Sequence, residues 1–367
     1  MATIQVRLNA RRDKSYTIEV RRGLLARLPR ILARRVGPAK LFVITDTTVA
    51  LLYGRRLLRA LRREGVDAHL LEVPAGERSK NERTASVLHT KLLRRGITRE
   101  SLVVALGGGV VGDLAGYVAA TVLRGVPLVQ VPTTLLAQVD SSVGGKVGID
   151  HPAGKNLIGA FHQPAAVYID PQALLTLPAA EFKNGLAEIV KIAAALDRKF
   201  FASIELNARS IAKRKMAIVL NVIVRAVGLK AAVVEKDEFE SGVRKCLNLG
   251  HTVGHALEAS SAYGLKHGRA VAMGMASEAW IALNMGLLGR KEFSRMTDLL
   301  GRLGLPHRPP PIVAAGAFAR ALARDKKADA AGPKFVLLRS IGRCSIDVTV
   351  PADLIRKSID VDTMNTQ

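Results

Sequence analysis

LVVALGGGVVGDLAGYVAA, residues 102–120, is the stretch that decides the fold. Its first five residues are apolar and predict a buried strand, and the glycines that follow open a helix. Gly107 to Gly112 satisfies the pattern G-x-G-x-x-G, and the backbone N–H groups at such a helix start can bind a pyrophosphate. The run from Leu102 to Leu123 is also the longest membrane-like stretch, but its five glycines and Asp113 favour a buried strand and helix. The sequence therefore predicts no membrane partner.

Strands and helices alternate on both sides of this stretch. Further strands are predicted at 40–45, 68–73, 126–131 and 166–170, with helices up to about residue 63 and at 79–95. Such alternation is typical of βαβ units and a mostly parallel sheet. After about Pro178 the pattern predicts helices at 181–197, 211–235, 250–261, 270–285 and 292–303, and a hairpin from 334–338 and 344–348. We therefore expect an α/β fold, with a Rossmann-like nucleotide-type domain over residues 1–178 and a mainly α-helical domain over 179–367.

The predicted dinucleotide site has an unusual layout. A standard Rossmann site places an acid for the ribose about 20 residues after the glycines, but the next acid after Asp113 is Asp140. Instead, Asp46 ends the strand at 40–45, and Glu77 and Lys80 follow the strand at 68–73. The alternative to a phosphate site is a glycine-rich turn needed for tight packing.

Net charge is the most unusual feature of the composition. The chain of 367 residues has 55 Lys and Arg against 31 Asp and Glu, a formal net charge of +24, which suggests nucleic acid as a partner. Much of the excess recurs at helical spacing among leucines, as at Arg55, Arg59 and Arg62, and this pattern is typical of a solvated helix face. Aromatic residues are only 4%, too few for extensive base stacking. We therefore expect no nucleic-acid partner.

The termini and cysteines indicate the compartment. Two cysteines, Cys246 and Cys344, cannot form a disulfide framework in a chain of this length, which favours a reducing environment. The first residues carry charges where a signal peptide needs an apolar segment. The expected location is the cytoplasm.

A metal site is predicted in the helical half. His251 and His255 are spaced i, i+4, so they lie on one helix face together with Glu258, and His267 follows. Histidine nitrogens with one carboxylate suit Zn²⁺. Spacing alone leaves the carboxylate open between Glu258, which shares the helix face, and Glu188, which would come from a second helix.

A set of cations and amides occupies otherwise apolar or motif-rich sequence. Residues 101–180 hold three Lys or Arg and four Asp or Glu, so each buried cation there needs an anionic partner. A substrate carrying both a phosphate and a carboxylate would supply that partner, whereas ion pairs with protein acids are less expected because the segment offers few of them. The set comprises Arg124, Lys146, Lys155, Asn156, Lys191, Lys230, Arg244 and Asn248.

Five motifs together resemble the 3-dehydroquinate synthase family. They are GGGVVGD at 107–113, VPTTLLAQVDSSVGGK at 131–146, GKNLIGAF at 154–161, GLAEIVK at 185–191 and LNLGHTVGH at 247–255. The late Asp325-Lys326-Lys327 fits as well. The resemblance runs from about Asp46 to Lys327. It implies a phosphorylated heptulosonate as substrate, NAD⁺ and Zn²⁺ as cofactors with Co²⁺ as an alternative metal, a homodimer, and a place in the shikimate pathway.

The resemblance also assigns roles to individual residues. It implies Glu188, His251 and His267 as metal ligands, and thus places His255 beside the substrate. The implied NAD contacts are Asp46, Glu77, Lys80, Gly108, Gly109, Asp113, Thr133, Thr134, Lys155 and Thr176. The implied substrate contacts are Asp140, Lys146, Asn156, Lys191, Lys230, Arg244, Asn248, His255 and Lys326, with Arg124 reaching the phosphate in the neighbouring subunit.

One position departs from the family pattern, and two other functions compete. Arg269 follows His267-Gly268 where the family usually has an acid. A related cyclase such as 2-deoxy-scyllo-inosose synthase would act on a hexose phosphate without a carboxylate, which would leave Lys230 and Arg244 without their anion. A metal- and NAD-dependent polyol dehydrogenase would not need the cations Lys146 and Lys155.

Overall fold

The predicted strand at 102–106 forms, and it lies within a six-stranded parallel sheet. The computed structural model describes residues 15–261, 264–308, 315–323 and 332–360. The sheet strands are β1 (Thr17–Val20), β2 (Leu41–Asp46), β3 (Ala68–Val73), β4 (Leu102–Gly107), β5 (Leu128–Pro132) and β8 (Ala166–Ile169), in the order β1-β8-β5-β4-β2-β3. Two further strands, β6 (Lys146–His151) and β7 (Gly154–Phe161), form a separate antiparallel hairpin that the sequence analysis did not predict. Five of the six sheet strands confirm the predicted ones, and β1 is the addition.

Helices cover both faces of the sheet. They are α1 (Leu24–Val36), α2 (Thr47–Val49), α3 (Arg55–Arg63), α4 (Glu82–Arg94) and α5 (Gly109–Thr121). Successive side chains of a strand point to opposite faces. Accordingly, Leu41 and Val43 of β2 belong to the core beneath α1 and α3, whereas Phe42 and Ile44 belong to the core beneath α4 and α5. This burial on both faces explains why β2 and β4 are apolar without alternation.

The rest of the described chain is mainly helical. Its elements are α6 (Ala179–Leu196), α7 (Arg198–Ala212), α8 (Met216–Lys236), α9 (His251–Ser260), α10 (His267–Asn284), α11 (Arg290–Arg302), α12 (Ala315–Ala323), the antiparallel hairpin of β9 (Lys334–Ser340) and β10 (Arg343–Thr349), and α13 (Ala352–Lys357). The predicted helix at 211–235 is wrong at its start, because α7 extends to Ala212 and Arg214 adopts a left-handed φ of 53° that separates it from α8. The side chain of Asp197 caps α7 by accepting a 2.9 Å hydrogen bond from Phe200 N.

Helix α8 is long and apolar enough to cross a membrane by length and composition, the one such helix among the described residues. This is weak evidence for a span, since core helices pass the same test. Val219, Ile223 and Ala226 of α8 are buried in the core of the helical half. The stretch from Leu102 to Leu123 forms β4 and α5 as predicted, and Cys246 and Cys344 are free thiols.

Candidate active site

The candidate dinucleotide site lies where the strand order reverses. The chain passes from β2 outward to β3 and then returns to β4 on the other side of β2, so β2 and β4 border a switch point. Ligands of open parallel sheets bind at the carboxyl ends of strands beside such a point. Asp46 ends β2 there, and Gly108 and Gly109 follow β4 at the start of α5. The structure thus brings the upstream acid and the glycines to the same edge.

A side chain at either of the two glycines at this edge would be crowded by neighbouring residues. A Cβ at position 108 would lie 2.9 Å from Thr134 Cγ2, and one at position 109 would lie 3.2 Å from Ser141 Oγ. Thr133 N donates a 2.9 Å hydrogen bond to Gly107 O, which ties the end of β5 to the glycine turn. Without side chains at these positions, the backbone N–H groups of the turn are accessible to a pyrophosphate, as the interpretation of the glycines as a phosphate site requires.

Other predicted NAD contacts lie around this edge. Asp46 Oδ1 accepts hydrogen bonds from Thr48 N at 2.8 Å and Val49 N at 2.9 Å, so part of its carboxylate already caps α2. Glu77 is exposed on the short helical turn Glu77–Ser79. Thr176 is exposed, and its hydroxyl lies 2.6 Å from Tyr53 OH.

Lys80 links the dinucleotide edge to the β6–β7 hairpin. Its side chain is buried, with Nζ 2.5 Å from Asp113 Oδ2 and in contact with Asn156 Oδ1. Burial raises the pKa of Asp113, and the neighbouring Lys80 ammonium offsets this only in part. Asn156 adopts a left-handed φ of 55°. Lys80, Asp113 and Asn156 are thus one connected group, although the sequence analysis placed the first two with NAD and the third with the substrate.

Glu188, His251 and His267 form a group that could hold a metal ion. Their ligand atoms lie within 4.8 Å of one another. Glu188 is fully buried, and both of its oxygens lack a well-oriented hydrogen bond, although Lys191 Nζ contacts Oε2 and His267 Nε2 lies 3.3 Å from Oε1. His251 Nδ1 lies 3.3 Å from Leu249 O, and a backbone contact of this kind orients a metal-binding histidine. A divalent cation fits this donor set, because it would satisfy the buried carboxylate.

In a second group, His255, Glu258 and His267, the possible ligand atoms also lie within 4.8 Å of one another. Glu258 is already engaged, since His267 Nδ1 lies 3.1 Å from Oε2 and Lys155 Nζ lies 3.4 Å from Oε1. Burial lowers the pKa of His267, but the neighbouring carboxylates of Glu188 and Glu258 outweigh burial and raise that pKa to about 10. In this arrangement Glu258 orients His267 through Nδ1 and leaves Nε2 facing Glu188.

Asp140 is the centre of the substrate-side cations. Lys191 Nζ lies 3.2 Å from Asp140 Oδ2, and Lys230 Nζ contacts Oδ1 and donates a 2.7 Å hydrogen bond to Asp140 O. Both lysines are buried. Burial alone would raise the pKa of Asp140, but the two ammonium groups hold it well below its usual value. Lys191 also contacts Glu188, so this cluster adjoins the candidate metal group.

Lys146, Arg244 and Asn248 converge on an acid that the sequence analysis did not select. Glu240 Oε2 contacts Lys146 Nζ and lies 3.8 Å from Arg244 Nε, and Oε1 accepts a 2.9 Å hydrogen bond from Asn248 Nδ2. The expectation that protein acids are too scarce to pair the pocket cations was therefore wrong. The acids come largely from outside residues 101–180, at Glu188 and Glu240.

Of the remaining predicted residues, one lies away from this cluster and one lies outside the described part of the chain. Arg124 is exposed, with a left-handed φ of 66° next to Leu123 at 50° and Gly125 at 114°. Lys326 lies outside the described residues. His255 does adjoin the metal group, with its ring centroid 5.1 Å from that of His251 and 6.0 Å from that of His267. Arg269 is exposed at the start of α10, and nothing in the structure explains its replacement of an acid.

Two solved structures with this fold contain NAD⁺ and a metal ion. A 2-epi-5-epi-valiolone synthase from Streptomyces hygroscopicus subsp. jinggangensis 5008, solved with NAD⁺ and Zn²⁺ bound, is 31% identical with a TM-score of 0.89, and the match covers 99% of this chain and 100% of that chain. A 2-deoxy-scyllo-inosose synthase, solved with carbaglucose-6-phosphate, NAD⁺ and Co²⁺, is 28% identical with a TM-score of 0.83 over 93% and 95% of the two chains. Fold and site together define a protein of the sugar phosphate cyclase type.

Sequence relationships narrow this class to one family. The 3-dehydroquinate synthase N-terminal family matches residues 70–184, and the 3-dehydroquinate synthase C-terminal family matches residues 185–328. A 3-dehydroquinate synthase from Pelobacter propionicus is 47% identical over 335 residues, which is 91% of this chain and 93% of that protein. The chain belongs to the 3-dehydroquinate synthase family, and the resemblance inferred from its motifs is confirmed.

Proposed function

We propose that this chain converts 3-deoxy-D-arabino-heptulosonate 7-phosphate into 3-dehydroquinate and inorganic phosphate, a step of the shikimate pathway. The reaction comprises transient oxidation of a secondary alcohol, elimination of phosphate, re-reduction, ring opening and an intramolecular aldol closure. The hydride that leaves the substrate returns to it, so there is no net redox change. The observation that carries the proposal is the convergence of buried Lys191, Lys230 and Arg244 beside the Glu188–His251–His267 group.

The chain supplies binding and orientation for this sequence of steps. Bound NAD⁺ and a divalent cation, Zn²⁺ or Co²⁺, supply the hydride acceptor and an electrophile that acidifies the substrate hydroxyl. Glu188, His251 and His267 would hold the cation, and Gly108 and Gly109 leave room for the NAD pyrophosphate.

The substrate's two anionic groups match the pocket's cations. Lys191 and Lys230 present ammonium groups next to the metal group, and both are held in place by Asp140. Arg244 is buried and adjoins Lys146 and Asn248 through Glu240. These residues hold the substrate while its phosphate takes the proton and leaves. His255, at the edge of the metal group, is placed to contact a substrate hydroxyl.

Several finer statements belong to the same proposal. Zinc is the resident metal, the protein acts in the cytoplasm as a homodimer, and Arg124 completes the phosphate site of the neighbouring subunit. Its exposed, left-handed backbone fits a residue that projects from its own subunit. The chain divides into an NAD-binding domain over residues 1–178 and a metal- and substrate-binding domain over 179–367, and neither nucleic acid nor a membrane is a partner.

The test is phosphate release from a substrate panel, with the product identified by NMR. We expect turnover of the heptulosonate phosphate that requires NAD⁺ and stops with a chelator, and no cyclisation of glucose 6-phosphate, which lacks a carboxylate. Comparable turnover of glucose 6-phosphate would favour the other cyclase, a function that the 2-deoxy-scyllo-inosose synthase neighbour makes worth testing. Net NADH accumulation from glycerol would favour a polyol dehydrogenase.

Arg244→Ala tests the site itself. Loss of a buried charged donor should lower kcat/KM for the heptulosonate phosphate by about 100-fold or more. Lys245→Ala is the matched control, because Lys245 is the next residue but its Nζ pairs with Asp347 Oδ2 at 2.8 Å. Unchanged kcat/KM in Arg244→Ala would remove Arg244 from the substrate site.

A further inference from the structure

The β6–β7 hairpin is irregular where it meets the dinucleotide edge. Its ladder pairs residue 149 with 158 and residue 151 with 154, so three residues of β7 lie opposite a single residue of β6, Asp150. A bulge of this kind leaves backbone groups that the ladder cannot pair, and bulges beside active sites often re-aim a side chain. Asn156 is the middle residue of the three, and its φ of 55° is left-handed.

Asp150 supplies the partner that the ladder does not. Its Oδ1 accepts a 2.9 Å hydrogen bond from Asn156 N. Asn156 is exposed, so packing does little to fix its conformation. A left-handed backbone costs free energy in a residue other than glycine, although asparagine tolerates it better than most, and it persists where neighbouring contacts impose it. The Asp150 carboxylate is such a contact.

The side chain of Asn156 is fixed from the dinucleotide edge. Lys80 Nζ donates to Asn156 Oδ1, and Lys80 O accepts a 2.8 Å hydrogen bond from Asp150 N. Asp150, Asn156 and Lys80 thus form a closed ring of three hydrogen bonds. Because an ammonium group only donates, Lys80 selects the amide oxygen and turns Nδ2 away from itself. The Asn156 amide therefore presents a donor, rather than an acceptor, to a ligand.

We propose that Asp150 is a positioning residue, which holds Asn156 so that its Nδ2 donates to an anionic group of the substrate. The inference rests on the proposed function, because it takes Asn156 as a substrate contact. Loss of the Asp150 carboxylate leaves Asn156 N without its partner and frees the left-handed backbone, so the amide no longer keeps its place beside Lys80. The ring also joins the two sides of the site, since Lys80 is a predicted NAD contact.

The test is a double-mutant cycle on Asp150 and Asn156. We expect Asn156→Ala to lower kcat/KM for the heptulosonate phosphate by about 10- to 100-fold, as loss of a hydrogen bond to a charged group does, and Asp150→Ala to lower it by about 10-fold. In the double variant the loss beyond that of Asn156→Ala should be less than about 2-fold, because no amide is left to position. Additive losses would show that Asp150 acts independently of Asn156 and would overturn the proposal.

Asp150→Asn separates the hydrogen bond from the charge. Its side-chain oxygen can still accept from Asn156 N, so kcat/KM should stay within about 3-fold of the wild-type value. A loss as large as that in Asp150→Ala would assign the effect to the negative charge and overturn the proposal.

Asp197→Ala is the matched control. Asp197 also accepts a backbone hydrogen bond at 2.9 Å, from Phe200 N, but it does so at the start of α7, where its other partner is Arg225. We expect this variant to melt at a lower temperature with unchanged kcat/KM. An equal loss of kcat/KM in Asp197→Ala would reduce the effect at Asp150 to a general loss of structure and overturn the proposal. Thermal melting shows that each variant is folded.

A binding measurement decides the case in which the heptulosonate phosphate is not converted. The Kd of glycerol 3-phosphate is then measured by calorimetry on the metal- and NAD⁺-loaded protein and on the same variants. It should rise by about 10-fold in Asp150→Ala, with no further rise when Asp150→Ala is added to Asn156→Ala. If this pattern appears without turnover, the proposed function fails and the role of Asp150 stands. Absence of both turnover and binding in the wild type would overturn both.

Discussion

Asp113 and Asp140 are two acids of the charge-poor middle of the chain, and they lie in contrasting surroundings. Asp113, at the dinucleotide edge, has one ammonium partner, Lys80, and burial raises its pKa despite that partner. Asp140, on the substrate side, has two, Lys191 and Lys230, and its pKa is held well below the usual value although burial opposes this. At Asp113 one cation offsets the desolvation of the carboxylate only in part, although the same contact helps to raise the pKa of Lys80, whereas the two cations beside Asp140 outweigh it.

The difference fits what each region has to bind. Around Asp140, Lys191 and Lys230 lie close together and are both buried, which requires an anion between them. The charged form of Lys230 is disfavoured in this arrangement. Burial and the charges of Lys191 and Arg244 lower its pKa, although Asp140 opposes the shift. At the dinucleotide edge, by contrast, the backbone supplies the anion-binding groups, so fewer cations are needed.

The largest expected effect is on the free energy of unfolding, and it should differ between variants of these two acids. Asp140→Asn removes the carboxylate that two buried ammonium groups share, so that Lys191 retains Glu188 but Lys230 loses its acidic partner, and should lower the free energy of unfolding by about 3–5 kcal/mol. Asp113→Asn should cost no more than about 1.5 kcal/mol, because Lys80 keeps its contact with Asn156 Oδ1. Urea unfolding of both variants at pH 7 measures the difference. Equal losses of unfolding free energy in the two variants would contradict the difference inferred between Asp113 and Asp140.

The stability of the same two variants should also depend on pH in opposite ways. Since the folded-state pKa of Asp140 is depressed, its stabilisation is present above the unfolded pKa of about 3.9 and is lost as the pH falls through the folded value. The stability gap between wild type and Asp140→Asn should therefore shrink below about pH 4.

For Asp113 the folded-state pKa is raised, so the acid form is favoured in the folded protein and stability is lost as pH rises through that value. The stability of Asp113→Asn relative to wild type should accordingly increase as the pH rises above about 4. An unchanged gap for Asp140→Asn at low pH would contradict the assignment.

The two regions also differ in how far the sequence could predict them. The dinucleotide edge is local, because β4, the glycine turn and α5 are consecutive and their pattern carries both the fold and the site. Lys191 and Lys230, in contrast, reach Asp140 from α6 and α8, 51 and 90 residues further along the chain. Helical periodicity shows which residues share a face but not which helix that face meets.

The metal site shows the same limit. Spacing on α9 could not choose between Glu258 and Glu188, because Glu188 comes from α6 and only tertiary packing brings it to His251 and His267. Glu240 was missed for a related reason. Its signal was the acidic segment at 237–240 shortly before Arg244, but an acid near a cation in sequence does not reveal that the acid meets both that cation and Lys146 in the folded chain. The β6–β7 hairpin was missed because β7 is largely exposed and lacks an apolar pattern.

Glu258 connects the candidate metal group to the β6–β7 hairpin, and its substitution should have the next largest effect, on metal affinity. Its carboxylate lies between His267 Nδ1 of the metal group and Lys155 Nζ of the hairpin. Glu258→Gln should weaken divalent metal binding by about 10- to 100-fold, as is usual when the partner of a ligating histidine is lost. Competition with a chelating dye measures the affinity. Glu292→Gln is the control, because Glu292 pairs with Arg198 instead, and an equal loss there would rule out a specific role for Glu258.

The smallest effect is expected at the dinucleotide edge, where space rather than charge sets affinity. Gly108 has a φ of −76°, which alanine can adopt, so Gly108→Ala adds a Cβ 2.9 Å from Thr134 Cγ2 without straining the backbone. Displacing Thr134 should raise the Kd for NAD⁺ by about 10-fold. Gly109→Ala meets the Ser141 hydroxyl at 3.2 Å, and since that group can rotate, the rise should be about 3-fold or less. Metal affinity should stay unchanged in both variants. If Gly109→Ala were the more damaging of the two, the pyrophosphate would lie against the first turn of α5 rather than at the glycine that precedes it.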